Sequence, residues 1–216
     1  MWRWCGGVLW MLALGAAPAW AADEEPAVDD IDRDPLVVQK PLVRALHLGA
    51  LEIRLEETRL EDVWRAVGAG HIRHRGDAAG SMYWLCYTVR QTAGGERLWI
   101  VAHAEMGGPE RRITELEARV LDPPAQATAA CPELPAALQP VRLDFGLWLG
   151  AQHSDFAARL DLPRGGQGPA LNYAYWGQVP GVLEGEAMQY DLGNGLSLRV
   201  AGGRVTGLRA WQVTTY

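Results

Sequence analysis

Apolar positions follow a helical period and then a strand period, and this order occurs twice along the chain. The first helix is predicted to start at the capping-box pattern Thr58-x-x-Glu61 and to stop at Gly68. Its apolar positions, three or four residues apart, are Leu60, Val63, Trp64 and Val67. The second helix is predicted to be capped by Ser154, with Phe156 and Leu160 facing the core.

Strand patterns follow each helix and are separated by turn residues. They cover residues 82–90, 97–103 and 113–120 in the first half, and 171–176, 187–192, 196–201 and 205–213 in the second. Gly94-Gly95 and Gly193-Asn194-Gly195 are predicted as tight hairpin turns, because glycine and asparagine tolerate a positive φ. The predicted fold class is therefore α+β.

The two halves also resemble each other directly, at an offset of 92 residues. Residues 112–118, RITELEA, share four identities in seven positions with residues 204–210, RVTGLRA. At the same offset Tyr83-Trp84 falls on Tyr175-Trp176. We therefore predict two tandem repeats, residues 45–121 and 141–216, each a short helical segment followed by an antiparallel β-meander.

Residues 1–21 have the pattern of a secretory signal peptide. Arg3 precedes an apolar run, and Ala19-Trp20-Ala21 is an A-x-A cleavage pattern, so we predict cleavage after Ala21. The alternative is a membrane anchor, but the apolar run is about half of the roughly 20 residues that a spanning helix needs. The mature chain is thus predicted to be periplasmic or secreted, with no stable membrane anchor.

Two further segments lie outside the repeats. Residues 22–44 begin with ADEEPAVDDIDRD, which is too acidic to bury a core, and are predicted to form a disordered leader. Residues 122–140 contain five prolines and six alanines without a clear period, and are predicted to link the two halves.

Charge and cysteine content narrow the partner classes. The chain has 20 Lys and Arg against 26 Asp and Glu, a net charge of −6, which becomes −7 when Arg3 leaves with the signal. No basic stripe is present, which argues against nucleic acid as a partner. Cys5 also leaves with the signal, so Cys86 and Cys131 remain. In an exported chain such a pair favours a disulfide over the alternative of two free thiols.

The second half carries a family pattern made of several short elements. These are Leu149-Gly150, the helix led by Ser154, Leu162-Pro163, the strand with Tyr173 and Tyr175, and residues 196–208 with the Gly202-Gly203 turn. The chain thereby resembles the BLIP-like fold of β-lactamase inhibitory proteins and of small outer-membrane lipoproteins of the SmpA/OmlA type. The resemblance implies a tandem helix-plus-sheet fold whose members bind other proteins without catalysis. The lipobox cysteine of the outer-membrane relatives is missing here.

Motifs for catalysis or for cofactors are absent from the sequence. It contains no nucleophile elbow, no phosphate-binding glycine loop with a lysine and no zinc-binding helix motif. His71 and His74 lie three apart in a predicted loop, where this spacing does not fix a metal site, so we predict no metal or other cofactor. The alternative functions are a hydrolase of an envelope polymer, with Asp144, Asp155 or Asp191 as paired carboxylates, and a purely structural envelope protein.

Aromatic residues on the predicted strands support the preferred hypothesis of a protein-binding surface. Strand 82–90 carries aromatic residues on both faces, and only one face can meet a helix. The other can expose an aromatic patch, unless the two repeats cover it by packing on each other. The predicted binding residues are Tyr83, Tyr87, Trp99, Tyr173, Tyr175 and Trp211. The predicted function is an exported, non-enzymatic module that binds another envelope or secreted protein.

Overall fold

The computed structural model describes residues 25–26, 34–91, 95–163, 168–183 and 185–215. The predicted signal peptide and most of the acidic stretch after it lie outside these residues. The helices are α1 Leu60–Val67, α2 Ala104–Gly107 and α3 His153–Leu160. The strands are β1 Leu36–Val37, β2 Ala45–Leu48, β3 Leu51–Arg54, β4 Arg73–Arg75, β5 Met82–Val89, β6 Glu96–His103, β7 Glu115–Val120, β8 Val141–Leu143, β9 Ala170–Leu183, β10 Glu186–Ala201 and β11 Arg204–Thr215.

The strands form one large mixed sheet and one small antiparallel sheet. The large sheet has eight strands in the order β1-β9-β10-β11-β7-β6-β5-β4, and the small sheet has three in the order β3-β2-β8. Every neighbouring pair is antiparallel except β1 with β9, which is parallel. A mixed fold of helices and largely antiparallel strands was predicted from the sequence, and to this extent the prediction is confirmed.

One face of the eight-stranded sheet, here called the inner face, packs against α1, α3 and the small sheet. The main core joins Val63 of α1, Phe156 of α3 and Leu46 of β2 to Ile100 of β6 and Leu196 of β10, all of them buried. The period-2 alternation of the strands places every second side chain in this core. The opposite face of the sheet is the outer face.

The two predicted helices exist, but they are not capped as predicted. Thr58 Oγ1 accepts the backbone N–H of Arg54 at 2.9 Å, so the hydroxyl belongs to the preceding turn, and α1 has no side-chain cap. Ser154 lies inside the first turn of α3, which follows Gln152 without a side-chain cap. Gly68 ends α1 in the left-handed conformation, φ 70°, as predicted.

The outer face is covered over the first half of the sheet. Met82, Trp84, Cys86, Trp99 and Val101 form a second buried cluster there with Cys131. The Cys86 and Cys131 sulfur atoms lie at disulfide distance, 1.91 Å, which confirms the predicted pair. Thr88 Oγ1 also donates to the Cys131 carbonyl at 2.8 Å. The segment predicted as a linker is therefore fastened to the first half and covers this cluster.

The predicted disordered leader, residues 22–44, is wrong over residues 34–44. Strand β1 pairs with Tyr173 and Ala174 of β9, and Leu42 and Val43 are buried. Most of the acidic residues that favour disorder precede this segment. Residues 36–38 and 41–43 have only apolar side chains, which can be buried. Earlier in the leader, Glu25 forms an ion pair with Arg75 of β4 at 2.9 Å.

The turn predicted at Gly193-Asn194-Gly195 is also wrong, because these residues lie in the middle of β10. Gly193 pairs with Trp176 of β9, and Gly195 pairs with Trp211 of β11. Both glycines have ordinary extended φ angles, so a turn conformation is not what requires them. They leave space for the two neighbouring indoles.

Candidate functional site

The outer face is open over the second half of the sheet, where it forms a cleft that we call the indole cleft. Trp176 is 60% exposed at its wall, and Met106 of α2 is 42% exposed at its rim. The cleft is lined by His103, Met106, Thr114, Glu115, Trp176, Arg209, Trp211, Gln212 and Val213. An adjoining depression shares Met106 and Val213 and is completed by Glu105, Thr214 and Thr215.

The two indoles of the cleft rest on glycine backbone. A Cβ on Gly195 would lie 2.2 Å from Trp211 Nε1, and a Cβ on Gly193 would lie 2.6 Å from the Trp176 ring. Any larger residue at either position would therefore displace an indole. The ring centroids are 5.6 Å apart and the rings are tilted by 52°. The sheet thus presents two aromatic surfaces at an angle, one of them largely solvent-facing.

The floor of the cleft is a buried carboxylate held by two basic side chains. Glu115 Oε2 accepts from Arg209 Nη2 at 2.7 Å and lies 3.2 Å from His103 Nε2. Burial on its own raises the pKa of Glu115, but the His103 hydrogen bond and the Arg209 charge outweigh it and hold the pKa below its ordinary value. Glu115 is therefore ionised at neutral pH, and its charge is compensated by side chains that line the cleft beside it.

The mouth of the cleft carries an uncompensated acid. Glu105 is exposed on α2, and it forms no ion pair with any other residue that the structure describes. The only guanidinium in the lining, Arg209, is engaged by Glu115. The cleft and its mouth thus contain two carboxylates, of which Glu115 is paired with Arg209 and His103, and Glu105 has no cation beside it among the described residues.

Of the six predicted binding residues, only Trp211 lies in the cleft. Tyr87, Trp99 and Tyr173 are buried, so their assignment to an exposed patch is wrong. Tyr87 and Tyr173 belong to the inner-face core, and Trp99 lies in the cluster covered by the Cys131 segment. Burial raises the pKa of both tyrosines, as expected of phenols removed from water.

The remaining two predicted residues are partly exposed but point away from the cleft. Tyr83 lies between two basic side chains, with its ring 4.6 Å from the His74 ring and 4.3 Å from the Arg111 guanidinium. Tyr175 packs on the main core, and its hydroxyl lies over Gly177 of the same strand. The six side chains therefore do not form one surface.

Five residues of the cleft were not predicted from the sequence: Trp176, Glu115, Arg209, His103 and Met106. Trp176 was separable from Tyr175 by strand alternation, since neighbouring residues of a strand face opposite sides of the sheet. No local sequence pattern indicates the contact between Glu115 and Arg209, because these residues meet only when β7 pairs with β11.

A two-stranded ribbon, residues 177–183 of β9 and 186–191 of β10, adjoins the cleft and is here called the arm. It extends past the last β11 residue that pairs with β10, Thr215, which faces Asp191. Val182 is 68% exposed and Met188 is 36% exposed. Tyr190 covers Gly181 and donates its hydroxyl to the Val182 carbonyl at 3.1 Å.

The β9 edge of the arm lacks one backbone hydrogen-bond donor. The Ala174 carbonyl accepts from the N–H of Val38, the residue after β1, so alternate residues of β9 from Ala174 onward direct their backbone polar groups away from β10. Pro180 is one of them, and it has no N–H to offer. Proline thus removes the central donor of the β9 edge, a known protection against unwanted strand pairing.

The three carboxylates named for a hydrolase lie in separate places. Asp144 Oδ2 accepts the backbone N–H groups of Arg44 and Ala45 at 2.8 and 3.0 Å, which fixes the start of β2. Asp191 accepts from Gln178 on the arm at 3.2 Å. Asp155 lies exposed in the first turn of α3. None of the three lines the indole cleft.

No group of three or more His, Cys, Asp or Glu side chains is arranged to hold a metal ion within the described part of the chain. Among the helices of that part, none has the length and apolarity needed to cross a membrane. Comparison with protein-family models, with curated proteins and with solved structures finds no match.

Proposed function

We propose that this chain is an exported, non-enzymatic module that binds another envelope or secreted protein through the indole cleft. The observation that carries the proposal is the pair Trp176 and Trp211, held over Gly193 and Gly195 with one indole 60% exposed. Exposed apolar clefts on small proteins mark interaction sites, and tryptophan is enriched among the residues that dominate binding energy.

The glycine support favours binding over a purely structural role. A strand gains nothing in stability from glycine, which leaves no side chain to pack and weakens the strand interior. Here two glycines at the centre of β10 let the indoles lie close to the sheet. An indole held by backbone loses little entropy when a ligand covers it, which is the advantage of a preorganised surface.

The proposal also includes the two tandem repeats and the BLIP-like fold that were predicted from the sequence. In both halves a helix precedes antiparallel strands: α1 precedes β4–β7, with α2 inserted between β6 and β7, and α3 precedes β9–β11. In the β7–β11 pairing, Leu116 faces Ala210 and Ala118 faces Leu208. At the offset of 92, Leu116 corresponds to Leu208 and Ala118 corresponds to Ala210, so the two pairs are equivalent when the halves are interchanged. A twofold axis that relates the two halves requires this kind of self-complementary pairing. That symmetry supports a duplicated fold of the BLIP-like kind.

Export is proposed from the signal pattern and from the cysteine pair. Disulfides persist in oxidising compartments and are rare in the cytosol, so the Cys86–Cys131 pair supports a periplasmic or secreted location. The partner is accordingly sought among envelope or secreted proteins. The chain's excess of acidic residues, a net charge of −6, favours a partner with a basic surface.

The test is affinity capture with three versions of the purified protein: wild type, Trp176→Ala and Trp64→Ala. Trp64 is the matched control, because it is a 41% exposed tryptophan on α1, outside the cleft lining. We expect a protein that is retained from envelope or culture extract by the wild type and by Trp64→Ala, but not by Trp176→Ala. Retention by all three, or by none, contradicts the proposal.

A further inference from the structure

We propose that the indole cleft recognises a lysine or arginine side chain of its partner. This inference rests on the proposed function and specifies the chemistry of the group that enters the cleft. It follows from the juxtaposition of the exposed Trp176 face, the unpaired Glu105 and an Arg209 that is already paired with Glu115.

The aromatic part of the cleft suits a cation. Trp176 is 60% exposed, and its ring meets the Trp211 ring at 52°, so a group placed in this corner contacts both indoles. A cation over an indole face is attracted by the ring quadrupole, and tryptophan gives the strongest such interaction among the aromatic side chains. The same protein already uses this contact elsewhere, with Arg73 over Trp84 and Arg111 over Tyr83.

The charges of the cleft select against the other ligand classes. An anion would approach Glu105, while the two basic side chains of the lining, Arg209 and His103, already face Glu115 at 2.7 and 3.2 Å. A neutral aliphatic group would remove water from Glu105 without replacing its hydrogen bonds, which costs free energy. A lysine or arginine head compensates the carboxylate of Glu105, and the acidic chain as a whole attracts it from a distance.

The rim also fits the stem of such a side chain. Met106 is 42% exposed between the indole cleft and the Glu105 depression, and it lines both. Lysine and arginine bury their methylene stems along apolar surface while the charged head remains at a polar site. Methionine adapts its shape to such a stem at low cost.

The test is a titration followed by the indole N–H signals of the ¹⁵N-labelled purified protein. The probes are N-acetyl-arginine amide, its neutral aliphatic counterpart N-acetyl-norleucine amide, and N-acetyl-glutamate amide. We expect saturable shifts of the Trp176 and Trp211 signals with the arginine probe only, while the Trp64 signal stays in place. Removal of one contributing group, as in Trp176→Ala or Glu105→Gln, should weaken arginine binding about fivefold to tenfold.

Equal shifts with the norleucine probe, or no shift with the arginine probe, overturn the inference. So does an arginine affinity that Glu105→Gln and Trp176→Ala leave unchanged. These results are distinguishable from failure of the proposed function. A partner captured in a Trp176-dependent way without arginine binding would contradict only the cation, whereas arginine binding without any such partner would contradict only the function.

Discussion

The Trp211 indole lies over Gly195, its direct partner across β10 and β11, and a methyl group on that glycine would approach Nε1 to 2.2 Å. The cleft therefore depends on the absence of a side chain in a neighbouring strand. Trp176 and Gly193 repeat the arrangement across β9 and β10. A site of this kind is sensitive to changes in residues that no ligand would touch.

Substitution Gly195→Ala should displace the Trp211 indole and destabilise the fold by about 1–3 kcal/mol, the usual cost of overpacking. Urea unfolding and tryptophan fluorescence measure the two effects. Gly80→Ala is the control, since no atom lies within 4 Å of the Cβ it would add and its φ is not positive. An unchanged fluorescence spectrum in Gly195→Ala would show that the indole does not rest on the glycine.

Structural features that depend on neighbouring residues were predictable from the sequence, and features that depend on contacts between different strands were not. Strands β5 and β6 were predicted at 82–90 and 97–103 and are observed at Met82–Val89 and Glu96–His103, because alternation is a local pattern. The glycines of β10 were misassigned to a turn, because their reason for being glycine lies in tryptophans 17 and 16 residues away along the chain. The Glu115–Arg209 pair joins residues 94 apart and has no local signature.

The Glu115 carboxylate should make stability depend on pH. Its folded pKa lies below the ordinary value, so its stabilising contribution is present above the unfolded pKa, about 4.3, and is lost as the pH falls through the folded pKa. Glu115→Gln leaves Arg209 without its acid and should cost about 3 kcal/mol at pH 7. Unfolding at pH 7, 5 and 3 should show the gap to wild type closing at the lowest pH.

Glu105→Gln serves as the control for that series, because Glu105 is exposed and has no cation partner within the described chain. Its stability should match that of the wild type at all three pH values. A Glu115→Gln deficit that stays constant down to pH 3 would mean that the carboxylate charge is not what stabilises the cleft floor.

Asn194 should be the most sensitive polar position of β10. Its side chain accepts from the Leu42 N–H at 2.7 Å and donates to the Val43 carbonyl at 2.8 Å, so it fastens the segment before β2 to the sheet. Asn194→Ala would leave both buried groups unsatisfied, at a cost of about 3 kcal/mol. Asn194→Asp keeps only the acceptor, and hydrogen exchange at Leu42 should be slower in it than in the alanine variant. Equal exchange rates in the two variants would contradict this assignment.

The disulfide should stabilise the protein and protect its outer face. Closing a loop of 45 residues contributes about 4 kcal/mol on the chain-entropy model. The Cys86→Ala, Cys131→Ala double variant should lose most of this stability in urea unfolding. It should also release the segment over Trp84 and Trp99, which would give proteolytic cleavage within residues 122–134 before other sites. Cleavage elsewhere first would show that the segment is held by its other contacts.

The arm should remain free of self-association because of Pro180. Pro180 lies where the β9 backbone faces away from β10, so the exposed edge lacks one N–H donor there. Val182, two residues further along, is 68% exposed. Pro180→Val restores the donor and adds a residue with high strand propensity, so sedimentation should show concentration-dependent oligomers that the wild type lacks. Val182→Thr in the same background keeps the donor while reducing apolar surface. If it abolishes the oligomers, apolar burial and not the restored N–H drives association, and the role assigned to Pro180 is wrong.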